Sequence, residues 1–90
     1  MLLAIDVGNT NTVLGLFDGE SLTASWRIKT DGRTTADELV LTYRGLLEGQ
    51  SKVTGIAMCS TVPAVLSEMR LMLDRYYSGI PTIIIEPGIK

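Results

Sequence analysis

Apolar residues in this chain come in short runs, and the period of each run assigns an element. Met1-Leu2-Leu3-Ala4-Ile5 opens the sequence, and Val13-Leu14-Gly15-Leu16-Phe17 follows a polar interval. Both runs have the length of strands. Residues 2–7 and 12–17 therefore read as two strands joined by a Gly8–Asn11 turn, whose residue types favour tight turns. Asp18-Gly19 is a hairpin signal. From Ser21 to Ile28 apolar and polar residues alternate, so Leu22, Ala24, Trp26 and Ile28 are expected on one half-buried face of a third strand.

The period then changes. Thr30-Asp31-Gly32-Arg33-Thr34 reads as a polar loop, and Thr35 with Glu38 forms a capping box that opens a helix. Leu39, Val40, Tyr43, Leu46 and Leu47 lie on one helical stripe, and Gly49 ends it. Residues 53–59 read as a fourth strand. Pro63 suits the first turn of a second helix, which turns Val65, Leu66, Met69, Met72, Leu73 and Tyr76 inward. Gly79 and Pro81 break it. Thr82-Ile83-Ile84-Ile85 is the fifth strand, and Glu86-Pro87-Gly88 a loop leaving its end.

The predicted order is βββαβαβ. Right-handed crossovers set strands four and five parallel to strand one. The fold class expected is α/β, with a mixed five-stranded sheet in the order 3-2-1-4-5, the ribonuclease H-like arrangement. A last strand of three isoleucines at a sheet edge, with no helix after it, is an aggregation liability in a finished domain. Residues 1–90 are accordingly expected to be a single amino-terminal domain, the first part of a longer protein.

Composition narrows the classes. The 90 residues are 46% hydrophobic, which excludes a disordered chain. The net charge is −2 without clustered Lys or Arg, so no electrostatic footprint for nucleic acid or an anionic membrane is present. One cysteine, Cys59, and no histidine leave neither an internal disulfide nor a zinc site to expect. Asp6 interrupts the first apolar run, and no basic region precedes it, so it reads as a strand and not a signal peptide. No run approaches the ~20 residues of a membrane span. A cytoplasmic location is expected.

In open α/β sheets, ligands bind outside the carboxyl ends of the parallel strands. Those ends are Asp6–Gly8, Cys59–Ser60 and Glu86–Gly88. At the first, Gly8 lets the backbone approach a ligand, and the amides of residues 8–12 are expected to form a nest for phosphate oxygens. Asn9, Thr10, Asn11 and Thr12 add side-chain donors. Asp6 belongs beside phosphate only if a hydrated Mg²⁺ lies between them. This composition points to phosphoryl transfer from a nucleotide; the plain alternative is a hairpin whose Asp caps its own turn. At the second end, N-capping by Ser60 or Thr61 is the simpler reading. Cys59 reads as a core residue, Met69 and Met72 as core filler, Trp26 as sheet packing, and Lys29 and Arg33 as solvated loop charges.

With these residues in view, the chain resembles the amino-terminal part of a type III pantothenate kinase, a family of the acetate kinase, sugar kinase, Hsp70 and actin superfamily. Asp6-Val7-Gly8-Asn9-Thr10-Asn11-Thr12 resembles that family's first phosphate motif. Trp26-Arg27, Thr35-Ala36-Asp37-Glu38, Cys59-Ser60-Thr61-Val62-Pro63 and Pro87-Gly88-Ile89-Lys90 fall, in order, where the family carries similar residues. The resemblance implies an actin-like ATPase fold and ATP-dependent phosphorylation of pantothenate, the first step of coenzyme A synthesis. It also implies Mg²⁺, a monovalent cation (K⁺ or NH₄⁺) with ligands outside this chain, and a homodimer. By the same resemblance Asp6 organises Mg²⁺–ATP through water, and residues 6–13 (Asp6, Val7, Gly8, Asn9, Thr10, Asn11, Thr12, Val13) hold the nucleotide. The proton-accepting Asp of a Gly-x-Asp-Arg motif is expected beyond Lys90, so these 90 residues alone are expected to be inactive. Two other readings stand beside it. One is a non-catalytic Bvg accessory factor-like regulator. The other is a ribonuclease H-type nuclease, which ranks low because strand four ends in Cys59-Ser60 and not in a carboxylate.

Overall fold

The computed structural model describes residues 1–85. The predicted loop at Glu86–Gly88 and the segment Pro87–Lys90 lie outside the described residues. Seven elements follow one another: β1 (Leu2–Val7), β2 (Asn11–Asp18), β3 (Ser21–Lys29), α1 (Ala36–Leu47), β4 (Gly55–Ser60), α2 (Pro63–Tyr76) and β5 (Thr82–Ile85). They form one five-stranded sheet in the order β3-β2-β1-β4-β5, as expected. β1 runs antiparallel to β2 and parallel to β4, and β5 runs parallel to β4. The fourth strand begins two residues later than its apolar run. Val53 is buried ahead of it, and the Thr54 amide donates to the Met1 carbonyl at 2.8 Å, a contact made just before the β1–β4 ladder begins.

Strand alternation separates the two faces of the sheet. Leu3, Ile5 and Val7 of β1, Leu14 and Leu16 of β2, and Ile56 and Met58 of β4 are all buried on one side. There they form a core with Leu39, Val40 and Tyr43 of α1 and Val65, Met69, Met72 and Leu73 of α2. The expected capping box is present at the start of α1: Glu38 N–H donates to Thr35 Oγ1, and the Glu38 carboxylate accepts from the Thr35 amide at 3.1 Å. Glu68 of α2 accepts a hydrogen bond from the Ala36 amide at 3.0 Å, which locks the first turn of α1 to its neighbour. Tyr76 was expected inward and is not. It ends α2 exposed, its hydroxyl donating to Asp37 at 2.6 Å, with the Arg44 guanidinium 5.1 Å over its ring. The end of the helix stripe has passed the core, and the amphipathic ring settles in the crevice beside α1 instead.

The other face of the sheet carries no helix among the described residues. Leu2, Val13, Leu22, Ile83 and Ile85 are exposed there, with Phe17 half-buried, over small residues at Ala4, Gly15 and Ala57. A shallow depression of about 400 Å³ runs along it from Leu22 and Phe17 to Ile85. Leu22 reaches this face through a β-bulge. Leu16 pairs with Ala24 but Phe17 pairs with Leu22, so Thr23 is extra on β3 and the alternation flips. Ala24, Trp26 and Ile28 stay on the helix side as expected, and Leu22 is turned over against Phe17. A Cβ on Gly15 would stand only 3.1 Å from Leu22 Cδ1 and 3.2 Å from the Phe17 ring, so a glycine makes room for both.

The bulge sets a measurable asymmetry. Leu14→Ala, in the core, is expected to cost about 2–5 kcal/mol by urea denaturation. Leu22→Ala is expected to cost under about 1 kcal/mol. A comparable loss at both positions would place Leu22 on the helix side and remove the bulge.

Candidate phosphate-binding site

The site is built where β1 ends. Because Leu3, Ile5 and Val7 face the helices, parity sends Asp6 to the opposite side, where it is exposed. β1 and β4 end level, Val7 beside Ser60. The Thr61 amide donates to the Val7 carbonyl at 3.0 Å, so the chain entering α2 is tied to the end of β1. Neither Ser60 nor Thr61 is the N-cap. Val62 occupies that place without a side-chain cap, and the buried Ser60 hydroxyl instead accepts from the Val62 amide at 3.0 Å. The amino-terminal end of α2 thus approaches the Val7–Gly8 segment with its first-turn amides uncapped by a side chain, a favourable field for anions.

Between β1 and β2 the chain makes a tight turn. Gly8 N–H donates to the Asn11 carbonyl at 2.9 Å, and a Cβ at Gly8 would sit 3.1 Å from that same oxygen. Glycine suits this place by space, since a Cβ would force the backbone oxygen to give by a few tenths of an ångström; its φ is not positive. The amides of Asn9 and Thr10 have no protein acceptor among the described residues, and the Thr30-to-Thr10 bond makes Asn11 and Lys29 a non-hydrogen-bonded pair, so the Asn11 amide turns away from β3. The side chains of all three residues are exposed. The concavity is therefore narrower than a nest of residues 8–12. Val7 and Thr12 are buried and directed toward the helices, leaving them only backbone groups to offer. Val13 is exposed beside Asp6 on the open face.

Cys59 is not in the core. It is the register partner of Asp6 across the parallel ladder, half-buried on the open face, and its thiol donates to Asp6 Oδ1 at 3.2 Å. That hydrogen bond, then burial, then the carboxylate's charge push the thiol pKa up. The signal was present in the sequence as parity: Ile56 and Met58 face the helices, so Ala57 and Cys59 face away. Among the described residues no three His, Cys, Asp or Glu side chains gather to hold a metal directly. The donor set at the turn, one exposed carboxylate beside amide side chains, would suit a hydrated Mg²⁺ held by Asp6 through water.

Behind the turn, on the helix side, lies a cavity of about 270 Å³ of mixed lining, with Thr12, Thr30 and Glu38 among its polar residues and Val7, Ile28 and Leu39 among its apolar ones. The Tyr43 hydroxyl is buried without a partner among the described residues, and burial raises its pKa.

The strand order and the two helices on one face define a ribonuclease H-like α/β domain. Two solved structures share it: Thermus thermophilus RuvC (TM-score 0.57, 20% identity, covering 96% of this chain and 61% of that one), and the Fowlpox virus resolvase solved with Holliday junction DNA (TM-score 0.55, 15% identity, covering 100% and 64%). At those identities the likeness is one of fold alone. The family model for type III pantothenate kinase matches residues 2–90, and the chain belongs to that family. Curated relatives named type III pantothenate kinase include those of Frankia alni (60% identical over 90 residues) and Salinispora arenicola (62% over 91), each covering 100% of this chain and 36% of the relative. That of Streptomyces avermitilis is 54% identical over 98 residues, covering 100% and 37%. The chain thus spans about a third of the length of these relatives.

The Asp6–Cys59 bond has a chemical readout. Alkylation requires the thiolate. At pH 8 Cys59 is expected to react with iodoacetamide several-fold more slowly than a small free thiol, and Asp6→Asn is expected to speed it. The sign follows from the raised pKa: the protonated thiol is favoured in the fold at neutral pH, and this contribution is lost as pH rises through the folded value. Equal rates in wild type and Asp6→Asn would show that the bond does not form in solution.

Proposed function

We propose that this chain supplies the first phosphate-binding element of an ATP-dependent kinase that phosphorylates pantothenate, the step that opens coenzyme A biosynthesis. The observation carrying this reading is the conjunction of the family match over residues 2–90 with an exposed Asp6 beside a turn in which the amides past Gly8, those of Asn9 and Thr10, have no protein acceptor among the described residues. ATP supplies the phosphoryl group, and Mg²⁺ neutralises charge on its phosphates. The chain's own residues hold and orient. The amides of Asn9, Thr10 and Asn11 donate to phosphate oxygens, with the three side chains as further donors. Gly8 keeps the turn tight, and Val7, Thr12 and Val13 contribute backbone and walls. Asp6 holds the hydrated metal through water, with Cys59 occupying one carboxylate oxygen and leaving the other free.

The proposal extends to the whole protein. Residues 1–90 form the first domain of a longer two-domain kinase. This is supported by the share of each relative that the chain spans and by the open apolar face, which a further segment would cover. The proton-accepting Asp, the pantothenate pocket and the ligands of a monovalent cation, K⁺ or NH₄⁺, belong to the rest of that protein. A cytoplasmic homodimer that binds neither nucleic acid nor membrane completes the reading. No helix among the described residues is long and apolar enough to cross a membrane.

The test uses the intact polypeptide with ATP, Mg²⁺, K⁺ and pantothenate. Phosphopantothenate is expected, and its absence from well-folded protein would overturn the kinase reading. Asp6→Asn is expected to lower kcat by about 100-fold, as changes to groups around a metal commonly do, with an unchanged melting temperature. Full activity in that variant would remove Asp6 from the mechanism. The 90-residue chain alone is expected to form no product.

A further inference from the structure

We propose that Thr30 is a positioning residue that braces the phosphate turn from behind and aims the Asn11 amide into it. This rests on the reading of that turn as the phosphate site. Thr30 is the first residue after β3, and it holds the turn at two points. Its amide donates to the Thr10 carbonyl at 2.9 Å, and its hydroxyl shares a 2.8 Å hydrogen bond with the Thr12 hydroxyl.

Peptide geometry makes the first contact directional. The Thr10–Asn11 bond is trans and planar, so its C=O and N–H point in opposite directions. Thr30 draws the Thr10 carbonyl toward β3. The Asn11 N–H is thereby sent the other way, toward the side on which Gly8 closes the turn. A peptide at a hairpin tip rotates easily when nothing holds it, and a rotated Thr10–Asn11 peptide would present a carbonyl where a phosphate needs a donor.

The second contact makes the first durable. Thr12 is only 4% exposed, so its hydroxyl bond to Thr30 is shielded from water, and losing the partner would orphan a buried polar group. The loop that follows Thr30 is itself closed by hydrogen bonds. The Thr34 amide donates to the Asp31 carbonyl at 3.2 Å and the Arg33 amide to Asp31 Oδ1 at 2.9 Å, just ahead of the capping box of α1. The turn is therefore backed by folded structure, and both threonines also line the cavity behind it.

Three variants of the intact polypeptide test this: Thr30→Val, Thr30→Ser, and Thr12→Val combined with Thr30→Val. Nucleotide affinity is read by calorimetry with Mg²⁺–ATP, the pantothenate KM by turnover, and amide exchange by NMR. Thr30→Val is expected to weaken Mg²⁺–ATP binding about 5- to 10-fold, leave the pantothenate KM unchanged, and speed exchange of the Thr30 amide. Thr30→Ser, which keeps the hydroxyl, is expected within about 2-fold of wild type. The double variant, with both hydroxyls gone, is expected to recover melting temperature but not affinity. Unchanged affinity in folded Thr30→Val overturns the brace, as does an equal loss for both substrates that tracks melting temperature. If the wild type binds no nucleotide, the kinase reading fails by itself; an unprotected Thr30 amide in the wild type overturns the brace separately.

Discussion

The structure depends on β1 being bonded on both edges at once. β2 pairs with it along one side and β4 along the other, register for register from Leu2 to Val7. A strand so held cannot slip by one residue without exchanging its faces. Leu3, Ile5 and Val7 are consequently fixed in the core, and Asp6 is fixed away from it. The exposure of the carboxylate follows from that parity. It is ionisable and exposed at the end of a central strand because its neighbours on both sides are apolar and buried.

The same register assembles the surroundings of Asp6 from distant parts of the chain. The parallel ladder puts Cys59 beside it, and the β4-to-α2 connection brings an uncapped helix end to the carbonyl of Val7. The hairpin puts Gly8 where a side chain would crowd the Asn11 carbonyl. The β2–β3 ladder, running out at Lys29, leaves Thr30 in place to grip the turn from its far side. The eight residues from Asp6 to Val13 are thus shaped by pieces of chain far from them in sequence.

Much of this was readable in the sequence, for identifiable reasons. The strand order followed from period-two runs and the handedness of crossovers. The start of α1 followed from Thr35 and Glu38, because a capping box is a local device whose partners are three residues apart. Asp6 was readable because it breaks an apolar run. What escaped depended on geometry that no window of sequence contains. Leu22 continues the alternation of Ala24, Trp26 and Ile28, and only the bulge at Thr23 turns it over. Tyr76 continues the apolar stripe of α2, and only the length of the core shows that the stripe has outrun it. Thr30 looked like any loop threonine, since its partners Thr10 and Thr12 meet it through ladder register. Cys59 was assigned to the core because a small thiol usually belongs there, although the parity of Met58 already argued the other way.

The open face of the sheet has a thermodynamic consequence. A row of exposed Leu, Val and Ile side chains over Ala4, Gly15 and Ala57 is apolar area left in water after the helix side has been buried. Any species that covers it and not the unfolded chain adds to the folded state by mass action. Were that face covered, the free energy of folding of these residues would become a linked quantity, set partly by the concentration or tethering of the cover, and it would carry the heat-capacity signature of that contact. A midpoint measured on the chain by itself would then be one point on a binding curve.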